Sequence, residues 1–134
     1  MRYMLDTNMV SDLVRDPLGR VAQQMHLVSE EEVCTSILVA AESRFGAARK
    51  DSPRLNEALE GVLARLAVLP FEEPAERRYA DVRLHLEKAG SPVGGNDMLI
   101  AAHALALDCI LVTDNEREFR RVPGLFVENW LRPA

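Results

Sequence analysis

The chain has few cysteines, no long apolar run and no excess of basic residues, and each shortage excludes a class of protein. Its 134 residues include only Cys34 and Cys109, which lack CxxC spacing. A disulfide scaffold, a zinc finger and a dithiol redox site are therefore not expected. No apolar stretch approaches the roughly 18 residues of a membrane span, and an acid at position 6 argues against a signal peptide. We expect a cytoplasmic protein without membrane association.

The charge balance is mildly acidic. Sixteen lysines and arginines oppose 21 aspartates and glutamates, which gives a formal net charge of −5. Proteins that coat nucleic acid are usually basic, so that class is disfavoured. A nucleic-acid enzyme with an acidic metal site and local basic patches remains compatible with this balance. Apolar residues make up 48% of the chain, enough for one globular core, so we predict a single domain over residues 1–134.

Short apolar strands alternate with helices along the chain. Strands are predicted over 2–5, 33–35, 68–71, 109–113 and 125–127, and helices over 8–14, 18–28, 37–50, 53–66, 74–89, 97–107 and 115–120. Thr7 or Asn8, Ser36 and Asn96 are the predicted caps of three of these helices. The strands lack polar alternation, which is typical of a parallel sheet covered by helices on both faces. The predicted fold class is therefore α/β, with a short central parallel sheet flanked by helices.

Four carboxylates stand near the ends of predicted elements or at the edge of an apolar stripe. Asp6 and Asp114 each follow a strand, and ligand sites in open parallel sheets lie beyond the carboxyl ends of strands. Asp97 lies in the first turn of an apolar helix, and Glu42 borders the apolar stripe of another. Converging carboxylates repel one another unless a cation offsets their charge. Oxygen ligands of this kind suit Mg²⁺ or Mn²⁺.

Each of these acids has a purely structural alternative. Asp97 would complement its helix dipole, Glu42 would pair with a nearby basic residue, and Asp6 and Asp114 would form turns. The combination is more informative than any single residue. In the metal-site interpretation, Asp6 and Asp97 are the expected direct ligands because they are short and anchored at element ends. Glu42 would accept a proton from the attacking water or hold the metal through a water.

Four sequence blocks resemble the PIN domain, in the order that they take in that family. They are LDTN at 5–8, AE at 41–42, GNDMLIAAHA at 95–104 and LVTDN at 111–115. The tail, EFRRVPGL at 118–125 followed by ENW at 128–130, resembles more narrowly the VapC toxins of bacterial toxin–antitoxin pairs. The likeness covers essentially the whole chain and implies a PIN-like fold.

The resemblance also implies a function. The chain would be an Mg²⁺-dependent endoribonuclease toxin that hydrolyses structured RNA such as tRNA and inhibits translation. Asp6, Glu42 and Asp97 match the first three acids of the family pattern, and either Asp114 or Asn115 would fill the fourth position. The expected supporting polar residues are Thr7, Asn8, Asn96 and Thr113.

Several partners are implied as well. A VapB-like antitoxin would neutralise the toxin, and their complex would bind operator DNA. A homodimer would offer two sites and a longer basic track to a folded RNA. Candidate RNA contacts are Arg44, Arg49 and Lys50 in one group and Arg117 and Arg120 in another, with a solvated helix end as the alternative for the first group. The competing function is a non-catalytic PIN-like module that binds proteins.

Overall fold

The five strands form one parallel sheet. The computed structural model describes residues 2–133. Its strands are β1 (Arg2–Leu5), β2 (Val33–Ser36), β3 (Ala67–Leu69), β4 (Cys109–Val112) and β5 (Val127–Glu128), and their order across the sheet is β3-β2-β1-β4-β5. Leu5 pairs with Thr35 on one side and with Val112 on the other. The carboxyl ends of the three central strands therefore lie side by side.

Helices cover this sheet on both faces. In the described part of the chain they are α1 (Thr7–Arg15), α2 (Arg20–Val28), α3 (Ile37–Lys50), α4 (Pro53–Ala64), α5 (Ala75–Lys88), α6 (Gly95–Ala106) and α7 (Glu116–Phe119), with a 3₁₀ turn at Glu30–Glu32. The pair α5 and α6 packs together, while α1 packs on α3 and α4. Among residues 2–133, no helix combines the length and the apolarity needed to cross a membrane.

The predicted α/β class with a parallel sheet is confirmed. Every residue of β2 and β4 is buried, as expected for strands covered on both faces. The third strand stops at Leu69 and does not reach Phe71, because Pro70 has no N–H to donate to the ladder. The last strand begins at Val127 and not at 125, because Leu125 is still hydrogen-bonded into the preceding turn.

Two of the predicted helix caps are wrong, and the third is confirmed. Asp6, not Thr7 or Asn8, caps α1 by accepting a hydrogen bond from the Thr7 N–H. Gly94 precedes α6, so Asn96 lies inside the first turn and its amide is available for another contact. Ser36 caps α3 as predicted and accepts from the Leu38 N–H at 3.0 Å. The polar side chains at the starts of α1 and α6 are thus directed to the carboxyl edge of the sheet.

Ser36 also joins α3 to the core. Its hydroxyl lies 2.8 Å from Nδ1 of His103, and both side chains are fully buried. Burial lowers the pKa of His103, which favours the neutral imidazole. The contact therefore satisfies two buried polar groups that would otherwise destabilise the fold.

We predict that Ser36→Ala lowers the free energy of unfolding by about 2–3 kcal/mol, because it removes a helix cap and leaves a buried imidazole nitrogen unsatisfied. Ser52→Ala is the matched control: Ser52 caps α4 through the Leu55 N–H at 3.2 Å, so its loss should cost about 1 kcal/mol. Urea denaturation of both variants provides the measurement. Equal losses would contradict the role assigned to the Ser36–His103 contact.

Candidate active site

The site begins at the ends of β1 and β4. Asp6 directly follows β1, is only 4% exposed, and continues the ladder by donating its N–H to the Val112 carbonyl at 2.9 Å. Its carboxylate accepts hydrogen bonds from the Thr113 hydroxyl at 2.7 Å and from the Thr7 N–H at 2.8 Å. Asn8 Nδ2 lies 3.4 Å from both Asp6 and Thr113. These contacts fix the buried carboxylate in one orientation.

Glu42 reaches the same place from α3. One of its oxygens accepts from the Thr7 hydroxyl at 2.9 Å, and the other accepts from Asn96 Nδ2 at 3.2 Å. The two donors lie in the first turns of α1 and α6. The Glu42 side chain is therefore held between two helix starts, and among residues 2–133 it forms no ion pair with a basic residue, which was its structural alternative.

Asp97 is the most perturbed carboxyl group of the cluster. Its pKa is raised to about 7, first by burial, then by the charge of Asp6 and by a hydrogen bond and charge from Glu118, with a smaller effect of Glu42. Burial also raises the pKa of Asp6, the Glu42 charge adds to this rise, and the hydrogen bonds from Thr113 and Thr7 partly offset it. These shifts show that the carboxylates are close enough to repel one another.

Asn115 belongs to the cluster and Asp114 does not. Asn115 Nδ2 lies 3.4 Å from Asp97 Oδ2. The Asp114 carboxylate instead accepts from Asn129 Nδ2 at 2.9 Å and lies 4.0 Å from Arg132. Asp114 contributes only its backbone N–H, which donates to Asn8 Oδ1 at 3.0 Å. Of the two candidates for the fourth position, Asn115 is the one whose side chain lies beside the acids.

Glu118 is a cluster residue that sequence reasoning missed. It lies in α7, and its carboxylate accepts from Asn115 Nδ2 at 3.2 Å while interacting with Asp97. The available signal was spacing: Glu118 follows Asn115, the residue before α7, by three positions, which places both on one side of a short helical turn. Glu118 therefore adds to the cluster the carboxylate that Asn115, which carries an amide, lacks.

The predicted RNA contacts divide into neutralised and exposed residues. Arg44 forms two hydrogen bonds with Glu60, at 3.0 and 2.9 Å, and Arg120 pairs with Glu116 at 2.9 Å. Arg49 lies over the ring of Phe45, 5.3 Å from its centroid. Lys50 and Arg117 are exposed. Local partners therefore reduce the positive charge that Arg44 and Arg120 offer to a polyanion.

The donor set fits a hard divalent cation. Asp6 and Asp97 offer carboxylate oxygens, the ligand type that Mg²⁺ and Mn²⁺ prefer. Within residues 2–133, no three acidic, histidine or cysteine side chains form a ready-made metal cage. Mg²⁺ does not require one, since it is commonly bound by one or two carboxylates, several waters and substrate phosphate. A cation there would also stabilise the charged form of both aspartates, whose pKa values burial and then the neighbouring carboxylates raise.

We predict that Asp97 makes the metal-free protein less stable as pH rises from 5.5 to 7.5; comparison with Asp97→Asn isolates this contribution, because the lowered pKa of His103 acts in the opposite direction in both proteins. Asp97 titrates near pH 7 when folded and near its ordinary 3.8 when unfolded. At this carboxyl group the folded state therefore binds more protons than the unfolded state across this interval, and the contribution of Asp97 to stability falls with increasing pH. Melting temperatures measured in EDTA should show a smaller fall for Asp97→Asn than for the unsubstituted chain. Asp114→Asn, which removes a carboxylate outside the cluster, should keep the full fall; the same slope in all three proteins would refute the assignment.

Comparison with known proteins agrees with this geometry. The family model described as the PIN domain matches residues 3–125. Ribonuclease VapC2 of Rickettsia felis is 34% identical over 132 residues, which cover 97% of this chain and 98% of that protein. The tRNA(fMet)-specific endonuclease VapC of Shigella flexneri is 34% identical over 131 residues, with coverage of 97% and 98%.

Solved structures show the same relationship. The VapBC2 complex of Rickettsia felis, bound to a DNA fragment from its promoter, contains a chain that matches with a TM-score of 0.91 and 33% identity, covering 97% of this chain and 99% of that one. The DNA-bound VapBC complex of Salmonella typhimurium matches with a TM-score of 0.86 and 32% identity, with coverage of 97% and 98%. The predicted resemblance is confirmed, and this chain belongs to the VapC branch of the PIN domain family.

Proposed function

We propose that this chain is a metal-dependent endoribonuclease and the toxin of a toxin–antitoxin pair. The observation that carries the proposal is the convergence of Asp6, Glu42, Asp97 and Glu118 at the carboxyl edge of the sheet, where Thr7, Asn96, Asn115 and Thr113 link them by hydrogen bonds. The family relationship supports RNA as the substrate. The name of the Shigella flexneri relative supports tRNA as the class of RNA. The whole chain would act as one domain.

The residues divide into binding and proton-transfer roles. Asp6 and Asp97 would hold Mg²⁺ or Mn²⁺, which when bound would orient the phosphate, offset its developing charge and acidify a water. Glu42 would accept the proton of the attacking water, and its contacts with Thr7 and Asn96 keep its carboxylate in place. Asn115 would orient the Asp97 carboxylate through the contact at 3.4 Å.

We predict that Asp6→Asn and Asp97→Asn each reduce RNA cleavage by at least about a hundredfold, because each removes a ligand charge from the catalytic site. Cleavage of bulk tRNA in Mg²⁺, Mn²⁺ and EDTA provides the measurement. Mg²⁺ should raise the melting temperature of the unsubstituted chain but not of these variants.

Asp114→Asn is the matched control for the cleavage assay. Its carboxylate is bound to Asn129 outside the cluster, so cleavage should fall much less than in Asp6→Asn. An equal fall would contradict the ranking of these acids. If the unsubstituted chain cleaves no RNA with either metal, the chain is instead a non-catalytic binding module.

An apolar groove offers a surface for the antitoxin. It lies between α1, α2 and α4, has a volume of about 860 Å³, and is lined mainly by Leu13, Val14, Leu18, Met25, Leu27 and Val62. Leu18 and Leu27 are 85% and 77% exposed, which leaves a large apolar area in water. Since the similar solved structures are VapB–VapC complexes, we assign this groove to a VapB-like antitoxin. The resulting complex would bind operator DNA.

We predict that Leu27→Asp prevents stable complex formation with a VapB-like antitoxin, because it places a charge in the apolar groove. RNA cleavage by this variant should persist when antitoxin is added. Leu84→Asp is the control: Leu84 is also exposed, but it lies on α5, which does not line the groove. Unchanged antitoxin affinity of Leu27→Asp would exclude this surface.

The homodimer remains a prediction, which light scattering of the isolated chain would decide.

A further inference from the structure

A large aromatic side chain is exposed beside the acidic cluster. Phe45 is 65% exposed and follows Glu42 by three residues on α3. Residues at this spacing share one face of a helix, with Cβ atoms about 5–6 Å apart. Phe45 therefore lies on the same side of α3 as the carboxylate to which we assign proton transfer. An exposed ring at this place contributes little to the core and is available to a substrate.

Two basic side chains follow the ring towards the end of α3. The guanidinium of Arg49 lies over it, 5.3 Å from the ring centroid, and Lys50 follows in the last turn of α3. Arg44, the other basic residue nearby, is neutralised by Glu60. A second copy of the chain placed here by a two-fold axis would bring these like charges together. A phosphodiester chain would instead pair with them, so the charges favour RNA as the ligand of this face.

The helix leaves open space beside Glu42. Gly46 is next to Phe45 in the interior of α3, where glycine is a poor helix former. A Cβ added at Gly46 would meet no atom within 4 Å, so nothing within the folded chain requires a glycine there. Gly46 follows Glu42 by four residues, so the absent side chain leaves the helix face beside that carboxylate open. This gives a flat base room to approach.

We propose that Phe45 is a stacking platform for an unpaired base of the RNA substrate, close to the phosphate that is cleaved. The base would lie on the ring face opposite Arg49, and the basic group would contact the neighbouring phosphate. Aromatic faces combined with cations are the usual means of holding single-stranded nucleic acid. This inference rests on the proposed ribonuclease function and adds to it a residue that positions an unpaired nucleotide.

The test is binding of a fluorescently labelled single-stranded oligoribonucleotide to the Asp6→Asn protein, which should leave the RNA intact. Adding Phe45→Ala should raise Kd by about 5- to 150-fold, the range found for loss of one stacked base. Phe45→Tyr should retain most of the affinity, whereas Phe45→Leu, which is apolar but not aromatic, should lose most of it. Unchanged melting temperatures would show that the variants fold.

Phe126→Ala is the matched control. Phe126 is 69% exposed, but it directly precedes β5, an edge strand of the sheet, whereas α3 follows β2, which lies three strands away. Its removal should leave Kd unchanged. A loss as large as that of Phe45→Ala would show that exposed aromatic area in general, and not a platform at the site, determines binding, and would overturn the inference.

Abasic nucleotides identify the stacked base. With Phe45 present, an abasic substitution at one position should weaken binding strongly, while the same substitution should have little further effect on Phe45→Ala. Such non-additivity is the expected result for two groups in direct contact. Equal losses at every abasic position, or full additivity with Phe45→Ala, would overturn the proposal.

Two further outcomes separate this inference from its alternatives. If the unsubstituted chain cleaves RNA but Phe45→Ala leaves KM and Kd unchanged, stacking is wrong while the proposed function stands. If the unsubstituted chain neither binds nor cleaves RNA, both are wrong. Sedimentation analysis adds a third result: conversion of a dimer to a monomer by Phe45→Ala, with affinity restored wherever the dimer reforms, would assign this face to a second copy and overturn the inference.

Discussion

The hydrogen bond between Thr113 and Asp6, 2.7 Å long, joins the ends of two neighbouring parallel strands, and the rest of the site depends on it. Asp6 is buried and close to other carboxylates, so ionising it is costly unless donors and a cation stabilise the charge. The Thr113 hydroxyl and the Thr7 N–H supply the donors. Glu42 and Asp97 lie close to Asp6 despite the repulsion between the three carboxylates. Hydrogen bonds from Thr7 and Asn96 stabilise Glu42 in this position, and a hydrogen bond from Asn115 stabilises Asp97.

Polar residues at the starts of three helices form part of this site. Asp6 caps α1, Asn96 lies in the first turn of α6, and Asn115 precedes α7. Only Asp6 makes a side-chain cap bond, while the two asparagine amides donate to Glu42 and Asp97. The stability that caps would add is thus partly given up for side-chain donors that organise the acids. Such a departure from local optimum is typical of functional sites.

The chain has three surfaces of different character, and each is expected to make a different kind of interaction. The carboxyl edge of the sheet holds the acidic cluster, the α3 face beside it presents an aromatic ring and positive charge, and the groove between α1, α2 and α4 is apolar. The net charge of −5 does not reveal this division, because Arg44 and Arg120 are paired with acids while Arg49 covers an exposed ring. Recognition of a polyanion would depend on local charge at the site and not on the balance of the whole chain.

The sequence determined the α/β class, the parallel sheet and the elements that carry Asp6, Glu42 and Asp97, because strand and helix periods are local and strand ends in a parallel sheet share one edge. It also indicated the supporting donors Thr7, Asn8, Asn96 and Thr113. It did not decide between Asp114 and Asn115, since adjacent residues in a turn point in different directions. Only the tertiary structure turned Asp114 towards Asn129, brought Glu118 to Asp97 and paired Arg44 with Glu60, because each contact joins side chains whose directions depend on packing between separate elements.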